Sequence, residues 1–382
     1  MSSARGERKL LFVVSNDYGE LSTALDFLAG QRFDAQILIP DRLYRANRLN
    51  LRSAWRAYHS VADILALAAA QSPDVVFLFS GYLFVINGLF SLNALRQLVT
   101  GLQSGMSAVV TSDPFLGQLF RLEDSTFDHP AKRELIEHFA QLVPLLDNVT
   151  HLYRVAPRVG ATAGSLSFYN SRVVLDKAEL TQWSDKAINA FGLNEELKRW
   201  LFILSAEDYA VGVARRGKVA FDELLGRKIA ETAQVGRQPV LIAPAACIGA
   251  VGRFVSTPTN AQFVDFCDHS TFLSLLYEAE CCFYWNLFSH SIIARVMNHL
   301  PVLFFDYGHL VHAMPSFLKV GVEHFYAGVE PHRLQADEPL TAEHVALATV
   351  EQDRRLEEAR LRFAKSPAPE EVVELLVTQT DR

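Results

Sequence analysis

The chain has 382 residues, of which 50% are hydrophobic and 26 are Phe, enough for two or three domains with sizeable cores. Its formal net charge of −7 gives no electrostatic basis for a nucleic-acid partner. The four cysteines, Cys247, Cys267, Cys281 and Cys282, have neither CxxC nor Cys/His metal spacing, and suit reduced core residues of a cytoplasmic protein.

The opening MSSARGERKLLFVV has too short an apolar run for a signal peptide. No run of about 18 apolar residues predicts a transmembrane segment. Residues 75–90 come nearest, but Ser80, Gly81, Asn87 and Gly88 interrupt them, which predicts a buried strand and a loop. Residues 9–15 predict a first strand, 21–29 a helix stopped by Gly30, and 35–39 a second strand. This is the opening of a doubly wound α/β fold, without the GxGxxG of a dinucleotide site. Residues 42–56 are basic through Arg42, Arg45, Arg48, Arg52 and Arg56, and read as a solvated helix face or loop, or as a patch for an anionic substrate. A helix at 60–70, a strand at 74–79, a helix at 92–102 capped by Ser91, a strand at 108–111, a helix at 132–146 and a strand at 149–155 follow. Residues 156–170 read as loop or linker, and 175–194 carry helical segments.

A second alternating series begins with a strand at 199–205. A glycine-containing loop (211–218), a helix (219–234), a strand (239–243), a short strand (262–267) and a helix (270–280) follow. Next come an apolar strand at 281–285, a polar turn at 286–291, a helix at 292–299 with Ser289 or Ser291 as its cap, a stop at Pro301 and a strand at 302–305. That is a compact parallel crossover. A helix starting at the carboxyl end of a parallel strand points backbone N–H groups and its positive dipole end into the crevice, where a phosphate group fits. An ordinary serine-capped crossover is the plainer alternative. Beyond residue 314 the pattern is less regular, with helices at 340–364 and 370–377. The predicted domains are 1–172 and 199–335, joined by a linker at 173–198 and followed by C-terminal helices at 336–382.

Over nearly the whole chain this element order resembles the GT-B glycosyltransferases. The likeness is carried by the turn Asn16-Asp17-Tyr18-Gly19-Glu20, by the strand and helix at 265–280, and by Ser289-His290-Ser291 through Arg295 to Pro301-Val302-Leu303-Phe304. The D-Y-G turn combined with S-x-x-x-R and P-V-L-F is also similar, more weakly, to protein-arginine rhamnosyltransferases. The resemblance implies an α/β fold of two Rossmann-like domains facing a central cleft. It implies a nucleotide-sugar donor as co-substrate, no further cofactor, and a saccharide, peptide or small-molecule acceptor. Where family members often carry a glutamate near the diphosphate helix, this chain has His290.

With no metal motif, backbone N–H groups and cationic side chains must stabilise a leaving diphosphate. The candidates are Asn286, Ser289, His290, Ser291 and Arg295, with Arg215 and Lys218 in the loop after the first strand of the second domain. Phe266 and His269 are placed to stack a nucleobase. An acceptor base would come from Asp17 or Glu20 in the first strand–helix turn, or from Asp113. Plainer readings stand beside these. Asp17 suits a helix N-cap, Asp113 a turn before Pro114, His290 a backbone hydrogen bond, Arg295 a solvent or carboxylate partner, and Arg215 and Lys218 a solvated loop. The expected function is a metal-independent glycosyltransferase. A nucleotide-sugar epimerase and a non-catalytic scaffold are the alternatives.

Overall fold

The computed structural model describes residues 7–15, 18–46, 54–105, 107–112, 140–153, 165–170, 191, 193–194, 196–255, 260–265 and 267–380. Asp17, Asp113 and Phe266, and nearly all of the expected linker, lie outside the described residues. The chain divides into two compact units, one of residues 1–173 with 361–382, the other of 174–360.

The first unit is built on seven parallel strands: β1 (Lys9–Val13), β2 (Asp34–Pro40), β3 (Trp55–Tyr58), β4 (Val75–Leu78), β5 (Ala108–Thr111), β6 (Thr150–Tyr153) and β7 (Ser165–Ser167). Their order is β3-β2-β1-β4-β5-β6-β7. Between them run α1 (Tyr18–Leu28), α2 (Asp41–Ala46), α3 (Val61–Gln71), α4 (Gly81–Ile86) and α5 (Leu92–Ser104). β1 and β4 are apolar almost throughout, as strands covered on both faces must be.

The second unit repeats the winding with β8 (Arg199–Ile203), β9 (Gln238–Ile242), β10 (Gln262–Val264), β11 (Cys281–Tyr284) and β12 (Val302–Phe304) in the order β10-β9-β8-β11-β12. Its helices are α6 (Ala206–Arg216), α7 (Lys218–Gln234), α8 (Ala245–Val251), α9 (His269–Glu278), α10 (His290–Met297), α11 (His309–Ala313), α12 (Phe317–Tyr326) and most of α13 (Ala342–Phe363). The last helix, α14 (Pro369–Thr380), belongs to the first unit. Val372, Val373 and Leu376 enter that unit's core, and Arg8 donates to Glu374 at 3.0 Å.

In each unit the chain winds outward from its first strand, then returns to that strand's other side. This leaves a switch point between β1 and β4, and another between β8 and β11. The same device holds both seams. Phe12 and Phe77 are register partners across β1 and β4, with ring centroids 4.6 Å apart. Phe202 and Phe283 are partners across β8 and β11, at 4.8 Å. Such stacked pairs add about 1 kcal/mol each beyond the area they bury.

Five sequence expectations are corrected. The stretch at 42–56 does not end as helix or loop: Trp55–Tyr58 forms edge strand β3, with Trp55 and Tyr58 buried and Arg56 exposed. Arg45 in α2 is exposed and paired with Asp41. Gly81–Ile86 is a helix rather than a loop, because Ser80 adopts a left-handed φ of 46° that turns the chain straight out of β4. Ser165–Ser167, placed in a linker, pairs in parallel with β6. The residues read as a loop at 211–218 are mostly the C-terminal half of α6, whose Gly212 lies against Phe221 of α7, where no side chain fits. The irregular stretch beyond 314 contains α12. Cys247, Cys281 and Cys282 are free and buried, whereas Cys267 is half-buried. Among the described residues no helix is long and apolar enough to cross a membrane.

Ser60 caps α3 by accepting from Asp63 N, while the Asp63 carboxylate accepts from Ser60 N. Replacing Ser60 with Ala should cost about 1 kcal/mol, measured as a lower midpoint in urea unfolding.

Candidate functional site

Ligand sites in doubly wound sheets lie beyond the carboxyl ends of the strands at the switch point. In the second unit four segments arrive there: Leu204–Ser205 into α6, residues 285–289 into α10, residues 305–308 into α11, and α11 itself. Their side chains form three hydrogen-bonded groups, the first of them centred on Asp208.

Asp208 sits in the first turn of α6, and its side chain is 1% exposed. Its Oδ1 accepts from the backbone N–H of His309 at 2.9 Å and lies 2.8 Å from His309 Nδ1. Its Oδ2 accepts from Asn286 Nδ2 at 2.6 Å and from Ser205 Oγ at 2.9 Å. Ser205 in turn caps α6, accepting from Asp208 N. Burial pushes the Asp208 carboxyl up, but the His309 hydrogen bond and charge, with Asn286, outweigh it and hold the group below the usual carboxylate range. Since a carboxylate only accepts, Nδ1 of His309 must carry a hydrogen. The His309 side chain is 33% exposed.

Gly308 makes this convergence possible. A Cβ placed there would lie 2.3 Å from Asn286 Cβ and 3.2 Å from Asp208 Oδ1, and its φ is +92°. Only glycine lets the β12–α11 turn close on the cluster.

A second acid–base group lies alongside. Asp306 Oδ1 is 2.7 Å from His312 Nε2, and Asp306 Oδ2 accepts from Arg215 at 2.8 Å. Arg215 is also 2.9 Å from His312 Nε2. One ring nitrogen cannot donate to Asp306 and accept from Arg215 at once, so the arginine is held chiefly by the carboxylate. Burial raises the Asp306 carboxyl, and His312, Tyr307 N and Arg215 together bring it below its ordinary value.

At the β11–α10 turn, Tyr284 donates to Ser291 Oγ at 3.0 Å, and Ser289 and Ser291 share a hydrogen bond at 2.9 Å. Ser289 occupies the N-cap position with extended dihedrals, yet its hydroxyl makes no side-chain cap. Burial lifts the Tyr284 phenol well above its ordinary range, so it stays neutral.

Of the residues expected at a nucleotide site, Asn286, Ser289, His290 and Ser291 lie at this edge, and Arg215 reaches it. Two are engaged elsewhere. Arg295 is corrected outright: α10 runs back down the sheet, and five residues of helix carry this side chain about 7.5 Å toward the opposite end. It is fully buried, donating to the carbonyls of Leu276, Ala279 and Pro301, which lie just before β11 and β12. Lys218 turns to Asp222 and Tyr209, each at 2.8 Å. His269 is buried in the first turn of α9, the helix that follows the carboxyl end of β10. The sequence reading missed Ser205, Asp208, Asp306, His309 and His312. Ser205-Ala206-Glu207-Asp208 directly after a strand is a capping-box pattern, and Asp306-x-x-His309-x-x-His312 after another strand was equally visible.

In the first unit, Glu20 lies at the matching switch point. It is 4% exposed, and Oε2 accepts from Ser15 N at 2.6 Å. Tyr58 donates to Val14 O nearby, and burial with the Glu20 charge raises its phenol. Ser80 and Ser112 share a hydrogen bond at the end of β4.

The whole chain superposes on known structures. With 9% sequence identity and a TM-score of 0.55, it matches a UDP-glucose:anthocyanidin 3-O-glucosyltransferase solved with UDP, covering 98% of this chain and 99% of that one. The wall teichoic acid polymerase TagF matches at 10% identity and a TM-score of 0.56, covering 97% of this chain and 89% of that one. The spinosyn rhamnosyltransferase SpnG matches at 13% identity and a TM-score of 0.51, with 96% and 99% covered. The fold is GT-B. No protein-family model and no curated protein matches the sequence. The two switch points are thus the carboxyl edges of the two Rossmann-like units of a GT-B chain.

Replacing Arg295 with Met should destabilise the protein by about 3 kcal/mol or more, because buried carbonyls lose a charged donor. The check is urea unfolding. Replacing Gly308 with Ala should cost about 1–3 kcal/mol through overpacking and a left-handed φ, seen as a lowered thermal midpoint.

Proposed function

We propose that the chain is a glycosyltransferase that takes a sugar from a nucleoside-diphosphate donor without a metal ion. The observation that carries this reading is the polar cluster at the carboxyl ends of β8, β11 and β12 in a GT-B fold. It combines hydroxyls, an amide, two imidazoles and a guanidinium where a diphosphate would sit. The UDP-bound glucosyltransferase among the structural neighbours supports the donor class.

In the proposed step the bond between the anomeric carbon and the β-phosphate oxygen breaks, and its electron pair stays on that oxygen. The acceptor oxygen forms the new bond and gives its proton to a base. Glu20 is assigned as that base, since it is a buried carboxylate at the first unit's switch point. Ser289 and Ser291 are assigned to the diphosphate oxygens, and Arg215 to the same charge. The acceptor class stays as broad as the sequence left it: saccharide, peptide or small molecule.

Calorimetry with UDP, GDP, CDP and dTDP in EDTA tests the donor site. One nucleotide should bind the wild-type protein, and binding by none would overturn the proposal. Replacing Glu20 with Gln should lower turnover, read as release of the nucleoside diphosphate from its sugar conjugate, by about 10²- to 10⁴-fold. Nucleotide affinity should not change. Unchanged turnover would remove Glu20 from the role.

A further inference from the structure

We infer that the outward face of α13 is an interface for a second copy of this chain, the two helices packing antiparallel about a two-fold axis with Leu347 of each against Val350 of the other.

The helix buries one side and shows the other. Val345 and Ala348 enter the core of the second unit, and Gln352, Leu356 and Ala359 are buried on the same side. Thr341 fixes the start of the helix, accepting from His344 N at 3.1 Å. Gln352 Oε1 accepts from His332 N at 2.7 Å, which holds the helix against rolling about its axis. The face turned directly away from a core should be polar. Its C-terminal half is, with Asp353, Arg354, Glu357 and Glu358 exposed. Its N-terminal half is not, since Ala346, Leu347 and Val350 are exposed there. Leu347 is 66% exposed, and Val350, at 72%, is the most exposed large apolar side chain among the described residues. A single surface leucine needs no explanation. Two large apolar residues three apart, with an alanine beside them, make a stripe on one helix face.

Charge complementarity selects what covers that stripe. Glu343, Leu347, Val350 and Arg354 follow one another at spacings of four, three and four residues. At 3.6 residues per turn this keeps them within about 60° of one another over roughly three turns, the spacing of a helix–helix seam. The stripe reads acid, apolar, apolar, base, so it is its own complement when reversed. In an antiparallel pair centred between Ala348 and Thr349, Leu347 meets the partner's Val350 and Glu343 meets the partner's Arg354. Each contact occurs twice, as a two-fold axis requires. Parallel pairing would instead set acid against acid and base against base. Sliding the antiparallel pair by one turn would set Leu347 against the partner's Arg354, or Val350 against the partner's Glu343.

Arg354 can turn across without leaving a bare charge behind. Its side chain is 78% exposed, and its bond to Glu351 at 2.8 Å is a surface pair of the kind that contributes little. Glu351 also accepts from Arg355 at 2.7 Å, and Arg355 donates to the carbonyl of Glu330, so Glu351 keeps a cation. A three-turn stripe is a small interface, which puts the association at the weak end for specific pairs.

Sedimentation equilibrium of the full chain, over a series from about 1 µM to about 1 mM, reads the dimer constant. The wild type should dimerise within that series. Leu347→Gln combined with Val350→Gln should weaken the dimer by roughly 100-fold or more, because four apolar side chains are lost from the seam. Glu343→Arg and Arg354→Glu should each weaken it by roughly 10-fold, because like charges then meet at both ends. Mixed in equal amounts, these two single variants should associate with each other about as well as the wild type does with itself, since each supplies the charge that the other needs. All four positions are exposed, and thermal midpoints taken where the chain is monomeric report folding. A wild type that stays monomeric across the series sinks the inference. So does a dimer that survives the paired glutamine variant, since some other surface would then hold it. Single variants that stay apart on mixing rule out the antiparallel register. Should Arg354→Glu fail to fold, the paired glutamine variant and Glu343→Arg still decide.

Discussion

A parallel sheet wound outward from its first strand, and then back to that strand's other side, cannot avoid leaving a gap. At that seam the segments leaving the two neighbouring strands turn to opposite faces, so their backbone ends are not covered by a crossover helix. This chain meets the constraint twice, and both times it reinforces the seam below the gap with a stacked phenylalanine pair, Phe12 with Phe77 and Phe202 with Phe283. The aromatic pairs keep the strands together where no helix bridges them. They leave the carboxyl ends above open for polar side chains.

How much of this was legible in the sequence depends on whether a pattern is local. Long apolar runs such as KLLFVV and DVVFLF specify buried parallel strands, and Ser60, Ser91 and Asp268 cap helices with signals carried within four residues. The short edge strand Trp55–Tyr58 was hidden inside a basic stretch, because alternation over four residues is too brief to outweigh five arginines. The three residues of β7 have no propensity of their own and are strand only because β6 lies beside them. The helix after Ser80 was read as loop for the opposite reason: glycine and serine do mark a break, but the break is a single left-handed residue.

At the candidate site the sequence places the serine-containing turn at the carboxyl edge but does not show that Arg295 turns away from it. Ser289-His290-Ser291 follows a strand, so its location at the carboxyl edge could be read directly. Arg295 is one turn inside the same helix, and helical direction carries it away from the edge it was meant to serve. His309 and Asp208 are 101 residues apart, and nothing in either neighbourhood announces the other. Each belongs to a pattern that is common in stable helices and loops. Only the topology, which sets β8 between β9 and β11 and places β12 beyond, turns a capping box and a histidine-containing turn into one cluster.

The two switch points also differ in chemistry, and that asymmetry bears on function more than either site alone. The first carries Glu20, Tyr58, Ser80 and Ser112, an acid with hydroxyls. The second carries His309, His312 and Arg215, each against a carboxylate, with Asn286 and two serines. Moving a glycosyl group makes two opposite demands at once, a proton acceptor for the incoming hydroxyl and positive or donating groups for the departing diphosphate. One site could hardly meet both, since a carboxylate close to a diphosphate would repel it and a cation close to a base would weaken it. A fold with two switch points allows the demands to be separated, each in a local environment set by its own sheet. In the second unit both carboxylates are engaged: Asp208 is buried against His309, and Asp306 is held by His312 and Arg215. The negative charge therefore orients the imidazoles and the guanidinium that meet it.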